Sequence, residues 1–314
     1  MGIFSPDMSD RHSKRAFWHD YRSRSIYFIT INKRAESPSF GVLAGDWKAP
    51  AGSSLYPCIK RSPLGVEVLR QIKRLPEIIP STQLYQYVVM PDHIHFLIFV
   101  KAPLPLHLGN YISQFKNELR KKVGYPVFAP GFNDQILSVT RKLDSIFNYI
   151  RENPYRLAAR RANPEFFMRC DSIRLNGRRY TGYGNLFLLK NPFREAVIVH
   201  RRYSEEEREA YKRRWLHLSS AGSVMVSPFI AKGEKEVRKA VEEIGGKVIL
   251  IVEKPLPPAP YKPSGHNFYQ CLKGELLILA PYEWDEAKDG REGSRQACLR
   301  MNALAEYLAA RAAT

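Results

Sequence analysis

Two histidines one residue apart, His93 and His95, interrupt the apolar run from Tyr87 to Val100. On a strand, alternate side chains share a face, so both imidazoles project together while Ile94, Phe96, Ile98 and Val100 fill the other face. Neutral imidazole nitrogens suit a divalent cation, and phosphate chemistry would add oxygen ligands from elsewhere in the chain. The plainer alternative is a sheet whose solvent-facing positions happen to be histidine. Further along, Tyr149 and Asn153 stand four apart in Ile146-Phe147-Asn148-Tyr149-Ile150-Arg151-Glu152-Asn153-Pro154, which puts both on one helical face. An Asn carbonyl can complete a shell of imidazole and oxygen. A phenol, with an ordinary pKa near ~10, becomes a usable nucleophile beside a cation that polarises a phosphate. Among 17 tyrosines, Tyr149 taken alone reads equally well as a packing aromatic.

These residues need a scaffold. Ser25 to Ile31 is β-branched and aromatic, which predicts a first strand. Val66, Val68, Leu69, Ile72 and Leu75 follow with helical spacing, and the histidine strand comes after Pro80. A helix from about Leu108 to Val123 sets Ile112, Phe115 and Leu119 on one face and Lys116, Arg120, Lys121 and Lys122 on the others. The tyrosine helix is expected over Val139 to Glu152, ending at Asn153-Pro154, because the residue before proline is pushed out of the helical region. This order predicts an α+β domain, an antiparallel or mixed sheet with helices on one face.

With 314 residues and 44% hydrophobic content, the chain can bury a core in more than one domain. The net charge of +18 calls for a polyanionic partner, nucleic acid ahead of an anionic membrane surface. Residues 1–221 carry 36 Lys+Arg against 19 Asp+Glu, and residues 222–314 carry 13 against 12, which assigns the basic function to the N-terminal two-thirds. No apolar run approaches the ~20 residues that span a bilayer, and no signal-peptide core is present, so no membrane partner and a cytoplasmic, nucleoid-associated location are expected. Cys58, Cys170, Cys271 and Cys298 form no CxxC pair, against a zinc knuckle.

Met90-Pro91-Asp92-His93-Ile94-His95, followed some fifty residues later by Tyr149-Ile150-Arg151-Glu152-Asn153-Pro154, resembles the single-tyrosine HUH transposases, most closely the REP-associated tyrosine transposases. Tyr27-Phe28-Ile29-Thr30, Gln114-Phe115-Lys116 and Gly131-Phe132-Asn133-Asp134 support the match, which spans about residues 15–161. The resemblance implies a ferredoxin-like antiparallel sheet carrying His93 and His95, with Tyr149 facing a Mg2+ or Mn2+ ion and Asn153 as third ligand. It implies cleavage of single-stranded or hairpin DNA by attack of the tyrosine on phosphorus, leaving a 5′-phosphotyrosine and a free 3′-hydroxyl, in a monomer or homodimer. The bulky Tyr155 and the Arg156 after the proline depart from the common pattern and read as extra DNA contacts.

Around this site, Asp92 reads as a turn cap or as orienting a backbone amide ahead of binding the metal, and Asp134 as a turn residue ahead of touching DNA or the metal's second shell. Lys116, Arg120, Lys121 and Lys122, with Arg151, Arg156, Arg160 and Arg161, are candidate grips on the phosphate backbone. Tyr125, Phe128 and Phe132 read either as base-stacking platforms or as core. Two other functions fit the same residues: a protein that binds hairpin DNA or structured RNA without cutting it, and a metal phosphoesterase using activated water.

Residues 162–221 read as a basic extension and linker. Arg174, Arg178, Arg179, Tyr180, Tyr183, Arg201, Arg202 and Arg208 suit a single-strand grip. A helix from Ser204 to Trp215 carries Ser204 as N-cap and acidic residues in its first turn. Residues 222–314 read as a small Rossmann-like α/β domain. The apolar runs Ser223–Val226, Lys247–Val252 and Glu275–Leu279 are expected as buried parallel strands, with helices over Gly233–Ile244 and Ser294–Ala310. Ser227-Pro228-Phe229 and the helix after it resemble the nucleotide-fold domain of bacterial single-strand DNA-processing proteins. No Gly-x-Gly-x-x-Gly fingerprint is present, and a structural or protein-contact role is favoured for this domain.

Overall fold

The computed structural model describes residues 16, 19–137, 143–200, 202–258 and 261–310. The chain divides into two units, residues 1–159 and 160–314. The expected first turn of the tyrosine helix, Val139 to Lys142, and Arg201 lie outside the described residues.

The first unit contains β1 (Ser25–Asn32), β2 (Gly41–Ala44), β3 (Cys58–Arg61), α1 (Pro63–Lys73), α2 (Leu75–Ile78), β4 (Thr82–Val89), β5 (His93–Val100), α3 (Leu108–Val123), β6 (Asn133–Leu137) and most of α4 (Leu143–Ala162). Strands β4-β5-β1-β6 make one antiparallel sheet, and β2 and β3 form a separate hairpin. The alternation on β5 holds. Ile94, Phe96, Ile98 and Val100 share a core with Val68 and Ile72 of α1 and with Ile112, Phe115 and Leu119 of α3. Leu97 packs instead with Phe28, Leu137 and Ile150, joined by Ile146, Phe147 and Tyr149 of α4. Helices therefore cover both faces of the sheet. The expectation of one covered face fails because Leu143, Ile146, Phe147 and Ile150 give α4 an apolar stripe of its own.

Helix α4 also runs on past its predicted end, with Pro154 inside it. Proline removes one helical N–H and crowds the carbonyl four residues back, at a cost of about 3 kcal/mol. Burial of Ala158 and Ala159 beyond that point offsets part of the cost, and alanine favours the helix intrinsically.

The second unit contains β7 (Met168–Leu175), β8 (Arg178–Gly184), β9 (Arg194–Ala196), α5 (Glu205–Ser220), β10 (Val224–Ser227), α6 (Lys232–Glu243), β11 (Lys247–Ile251), α7 (Gly265–Leu272), β12 (Leu276–Pro281), α8 (Glu286–Asp289) and α9 (Arg295–Ala310). The sheet order is β7-β8-β12-β11-β10-β9; β9 to β12 pair parallel, while β8 and β7 add on antiparallel. The three apolar runs are parallel strands, as expected, and they are buried on both faces. Val226, Ile249 and Leu277 pack with Met301, Leu304 and Leu308 of α9. Met225, Val248 and Ile278 pack with Trp215, Val237 and Cys271 from α5, α6 and α7. Residues 162–221 are thus no separate linker, since β7, β8 and β9 hydrogen-bond into this sheet. Helix α5 starts as predicted, with the Ser204 hydroxyl accepting from Glu207 N and the Glu207 carboxylate accepting from Ser204 N.

Candidate functional site

The antiparallel pairing of β1 with β5 sets Thr30 opposite His95 and Asn32 opposite His93. His93 and His95 are 8% and 3% exposed, and their ring centroids lie 4.6 Å apart. These are buried histidines beneath α4, not solvent-facing positions. Each Nδ1 is held by a neighbour: His93 Nδ1 bonds Asp92 Oδ1 at 2.6 Å, and His95 Nδ1 bonds Thr30 Oγ1 at 2.8 Å. A carboxylate can only accept, so it fixes the proton of a neutral His93 on Nδ1 and leaves the lone pair on Nε2, the form that ligates a metal. Nε2 of His93 is buried and makes no hydrogen bond within the protein. Asp92 therefore orients an imidazole.

Tyr149 reaches the pair from α4. Its ring centroid is 5.5 Å from that of His95 and 6.0 Å from Phe28, edge-on at 87°. One turn later Asn153, 2% exposed, donates from Nδ2 to the Tyr149 carbonyl at 3.0 Å, which fixes the amide and turns its oxygen away from that carbonyl. Arg156 follows on the same stripe, 2% exposed, with its guanidinium carbon 5.1 Å from the Tyr149 ring centroid. The neighbouring Tyr155 points elsewhere and stacks on Tyr56, with centroids 5.8 Å apart and planes within 5°. Burial pushes both of those phenols above the ordinary tyrosine range. Tyr149 thus meets His95, and Tyr155 stacks on Tyr56.

The donor set fits a divalent ion in part. His93 and His95 offer two imidazole nitrogens and Asn153 a neutral amide oxygen. Among the described residues no group of three or more His, Cys, Asp or Glu side chains is placed to hold a metal ion. A set of two nitrogens and one uncharged oxygen leaves positions for water or for oxygens of a bound phosphate.

The basic residues divide more sharply than their sequence suggests. Arg120 and Lys121 are exposed on α3. Lys122 is exposed but pairs with Glu67 at 2.6 Å, which holds that carboxyl below its ordinary range. Lys116 Nζ donates to the Ala129 carbonyl at 2.8 Å and to that of Gly131, so it ties down the loop before β6. Arg151 is exposed and donates to Asn148 Oδ1 at 2.7 Å, Arg161 is exposed, and Arg160 is half-buried. Arg156 is the outlier, because a phosphate grip needs exposure and this guanidinium has almost none. Its i+7 relation to Tyr149 is the signal in the sequence for its place on the buried stripe. Asp134 accepts from the Tyr21 hydroxyl at 2.7 Å, Phe128 lies in the core, and Tyr125 is exposed.

In the second unit, several residues expected to grip a strand are engaged within the fold. Arg178 pairs with Asp289 at 2.7 Å, Arg179 lies over the Tyr282 ring at 3.5 Å, and Tyr180 and Tyr183 are buried. The loop after β10 is filled by its own carboxylate. Buried Glu234 accepts from Ile230 N at 2.8 Å and Ala231 N at 3.0 Å, occupying the helix N-terminus where an anion would otherwise sit. Burial pushes the Cys271 thiol up to about 12, in keeping with a packing role.

No family model matches the sequence. An uncharacterized protein of Haemophilus influenzae is 22% identical over 176 residues, which cover 48% of this chain and 92% of that protein. Among solved structures, a REP-associated tyrosine transposase bound to a REP hairpin superposes with a TM-score of 0.32 at 16% identity, over 46% of this chain and 74% of that one. DNA processing protein A from Helicobacter pylori, described for its single-stranded DNA binding, superposes with a TM-score of 0.33 at 19% identity, over 45% of this chain and 65% of that one. No helix of the described residues is long and apolar enough to cross a membrane.

Proposed function

We propose that the first unit cleaves and rejoins single-stranded or hairpin DNA through a covalent bond to Tyr149. The observation that carries this reading is the meeting of Tyr149 with the buried His93–His95 pair, at 5.5 Å between the Tyr149 and His95 ring centroids, with Asn153 one turn beyond. The phenol oxygen forms a bond to phosphorus as the bond from phosphorus to the 3′-oxygen breaks. The phenol proton is lost, the departing 3′-oxygen gains one, and the 5′-phosphate stays on the tyrosine. One phosphodiester replaces another, so a 3′-hydroxyl can reverse the step without a nucleotide cofactor.

His93, His95 and Asn153 would hold a divalent ion, Mn2+ suiting two imidazoles better than Mg2+ does, and that ion would withdraw charge from the phosphate under attack. Asp92 and Thr30 keep the two rings oriented, and Phe28 packs against Tyr149 and excludes water from one side. The excess positive charge is shared. Divided at the structural boundary, residues 1–159 carry 22 Lys+Arg against 12 Asp+Glu and residues 160–314 carry 27 against 19, net +10 and +8. This balance supports a nucleic-acid partner for both units rather than for the N-terminal region alone.

The test is to incubate the protein with labelled hairpin-bearing single strands and Mn2+ or Mg2+ and to look for a denaturation-resistant protein–DNA adduct. An adduct in the native protein, absent in Tyr149→Phe and in chelator, supports the tyrosine mechanism. Nicking that survives Tyr149→Phe would replace it with a water-activating phosphoesterase. Binding with neither adduct nor nick would replace it with a non-cleaving binder.

A further inference from the structure

Arg156 is the largest fully buried side chain among the described residues. Arginine is almost never buried this deeply unless the fold uses its charge, because desolvating a guanidinium is costly. Its place on α4 shows what it is near. Tyr149, Asn153 and Arg156 fall at i, i+4 and i+7, one stripe on the helix. Helical side chains tilt toward the N-terminus, so the long Arg156 side chain reaches back along that stripe to the Tyr149 ring. There its guanidinium carbon sits 5.1 Å from the ring centroid, while Phe28 meets the ring edge-on from the sheet and His95 lies 5.5 Å away. Burial removes the competing water and strengthens attraction between a cation and the face of an aromatic ring.

We propose that Arg156 is a positioning residue for Tyr149: its buried cation holds the tyrosine ring by its face, in the orientation that meets the histidine pair. The proposal rests on the reading of Tyr149 as the nucleophile. It assigns the work to the charge of Arg156 rather than to its bulk, and two substitutions separate these. Arg156→Met keeps a long unbranched side chain and removes the charge, whereas Arg156→Lys keeps a charge and gives up the guanidinium plane. A space-filling role makes Met at least as good as Lys; a cation that holds the ring makes Lys the better replacement.

The experiment measures the single-turnover rate of adduct formation and, separately, strand affinity. Arg156→Met is expected to slow adduct formation about tenfold with affinity changed less than about twofold, and Arg156→Lys to recover most of the rate. A Met variant as fast as the native protein, or faster than Lys, overturns the proposal. Should thermal melts show the Met variant unfolded, Arg156→Gln takes its place in the same comparison. A second readout does not depend on activity. In protein labelled with 3-fluorotyrosine, the Tyr149 fluorine resonance, identified by its loss in Tyr149→Phe, is expected to move in Arg156→Met and to return toward its native position in Arg156→Lys. A resonance that stays in place overturns the proposal. A native protein that forms no adduct overturns the nucleophile reading instead, and the fluorine spectrum then still decides whether Arg156 sets the ring.

Discussion

Strand β5 sends successive side chains into two different interiors. Among the described residues, Phe96 and Ile98 enter a cluster of 23 buried hydrophobic residues shared with α1 and α3, whereas Leu97 enters a cluster of four beneath α4. The smaller interior is also where His93, His95, Asn153 and Arg156 are buried. Burying polar and charged groups costs stability unless each is bonded or paired, and the α4 face holds four of the six buried polar side chains among the described residues of this unit. The difference teaches that the unit is held together from one side of its sheet and gathers most of its buried polar side chains on the other. The large apolar face supplies the free energy that lets the second face keep imidazoles, an amide and a guanidinium out of water.

The comparison is broken most directly by substitutions on the two faces of the same sheet. Phe96→Ala, on the large face, is expected to cost about 3–5 kcal/mol, a sizeable part of a typical domain's 5–15 kcal/mol, and to take strand binding and cleavage down together. Tyr149→Phe, on the other face, is expected to abolish the adduct while shifting the denaturant midpoint by less than about 1 kcal/mol equivalent. Urea unfolding of both variants checks the pair. A Tyr149→Phe variant as unstable as Phe96→Ala would mean that the α4 face is a second structural core.

A smaller effect sharpens the chemistry of that face. Asp92 touches the site through His93, and its carboxylate fixes the His93 tautomer through Nδ1. Asp92→Asn is expected to weaken Mn2+ binding about 10- to 100-fold with little change in stability, because an amide is a poorer and less selective partner for that N–H. Titration followed by Mn2+ paramagnetic resonance measures it. Native protein that takes up no Mn2+ would remove the metal from the proposed function, and unchanged affinity in the variant would remove Asp92 from the site.

How much of this was legible beforehand follows the same division. The alternation of β5 and the pairing of Tyr149 with Asn153 depend only on periods of 2 and 3.6 residues, and both read correctly. The end of α4 did not, because the bias against helix before proline is local, whereas burial of Arg156, Ala158 and Ala159 is tertiary. The charge of Arg156 also misled, since sequence shows a cation and not its depth. In the second unit the buried parallel strands Val224–Ser227, Lys247–Ile251 and Leu276–Pro281 were plain from their continuous apolar runs. Strands β7 and β8 were not, because arginines at Arg169, Arg174, Arg178 and Arg179 break the apolar pattern, and the partners of Arg178 and Arg179, Asp289 and Tyr282, lie about a hundred residues away.

The smallest effect concerns cations on one helix that look alike in sequence. Lys116 and Lys121 both belong to α3, yet Lys116 is held by the carbonyls of Ala129 and Gly131 while Lys121 is exposed. A lysine that neutralises a DNA phosphate releases counterions, and its loss lowers the salt dependence of single-strand binding by about 0.7 in the log–log slope. Lys121→Ala is therefore expected to reduce the slope by roughly that amount and to weaken binding to all sequences alike, with stability unchanged. Lys116→Ala is expected to leave the slope alone and to lower stability by about 1–3 kcal/mol, since two carbonyls lose a charged donor. Binding isotherms at several salt concentrations, paired with urea melts, separate the two. If Lys116→Ala moved the slope and Lys121→Ala did not, the strand would run across the loop before β6 rather than along the exposed side of α3, and the division of labour between the faces would need to be redrawn around that loop.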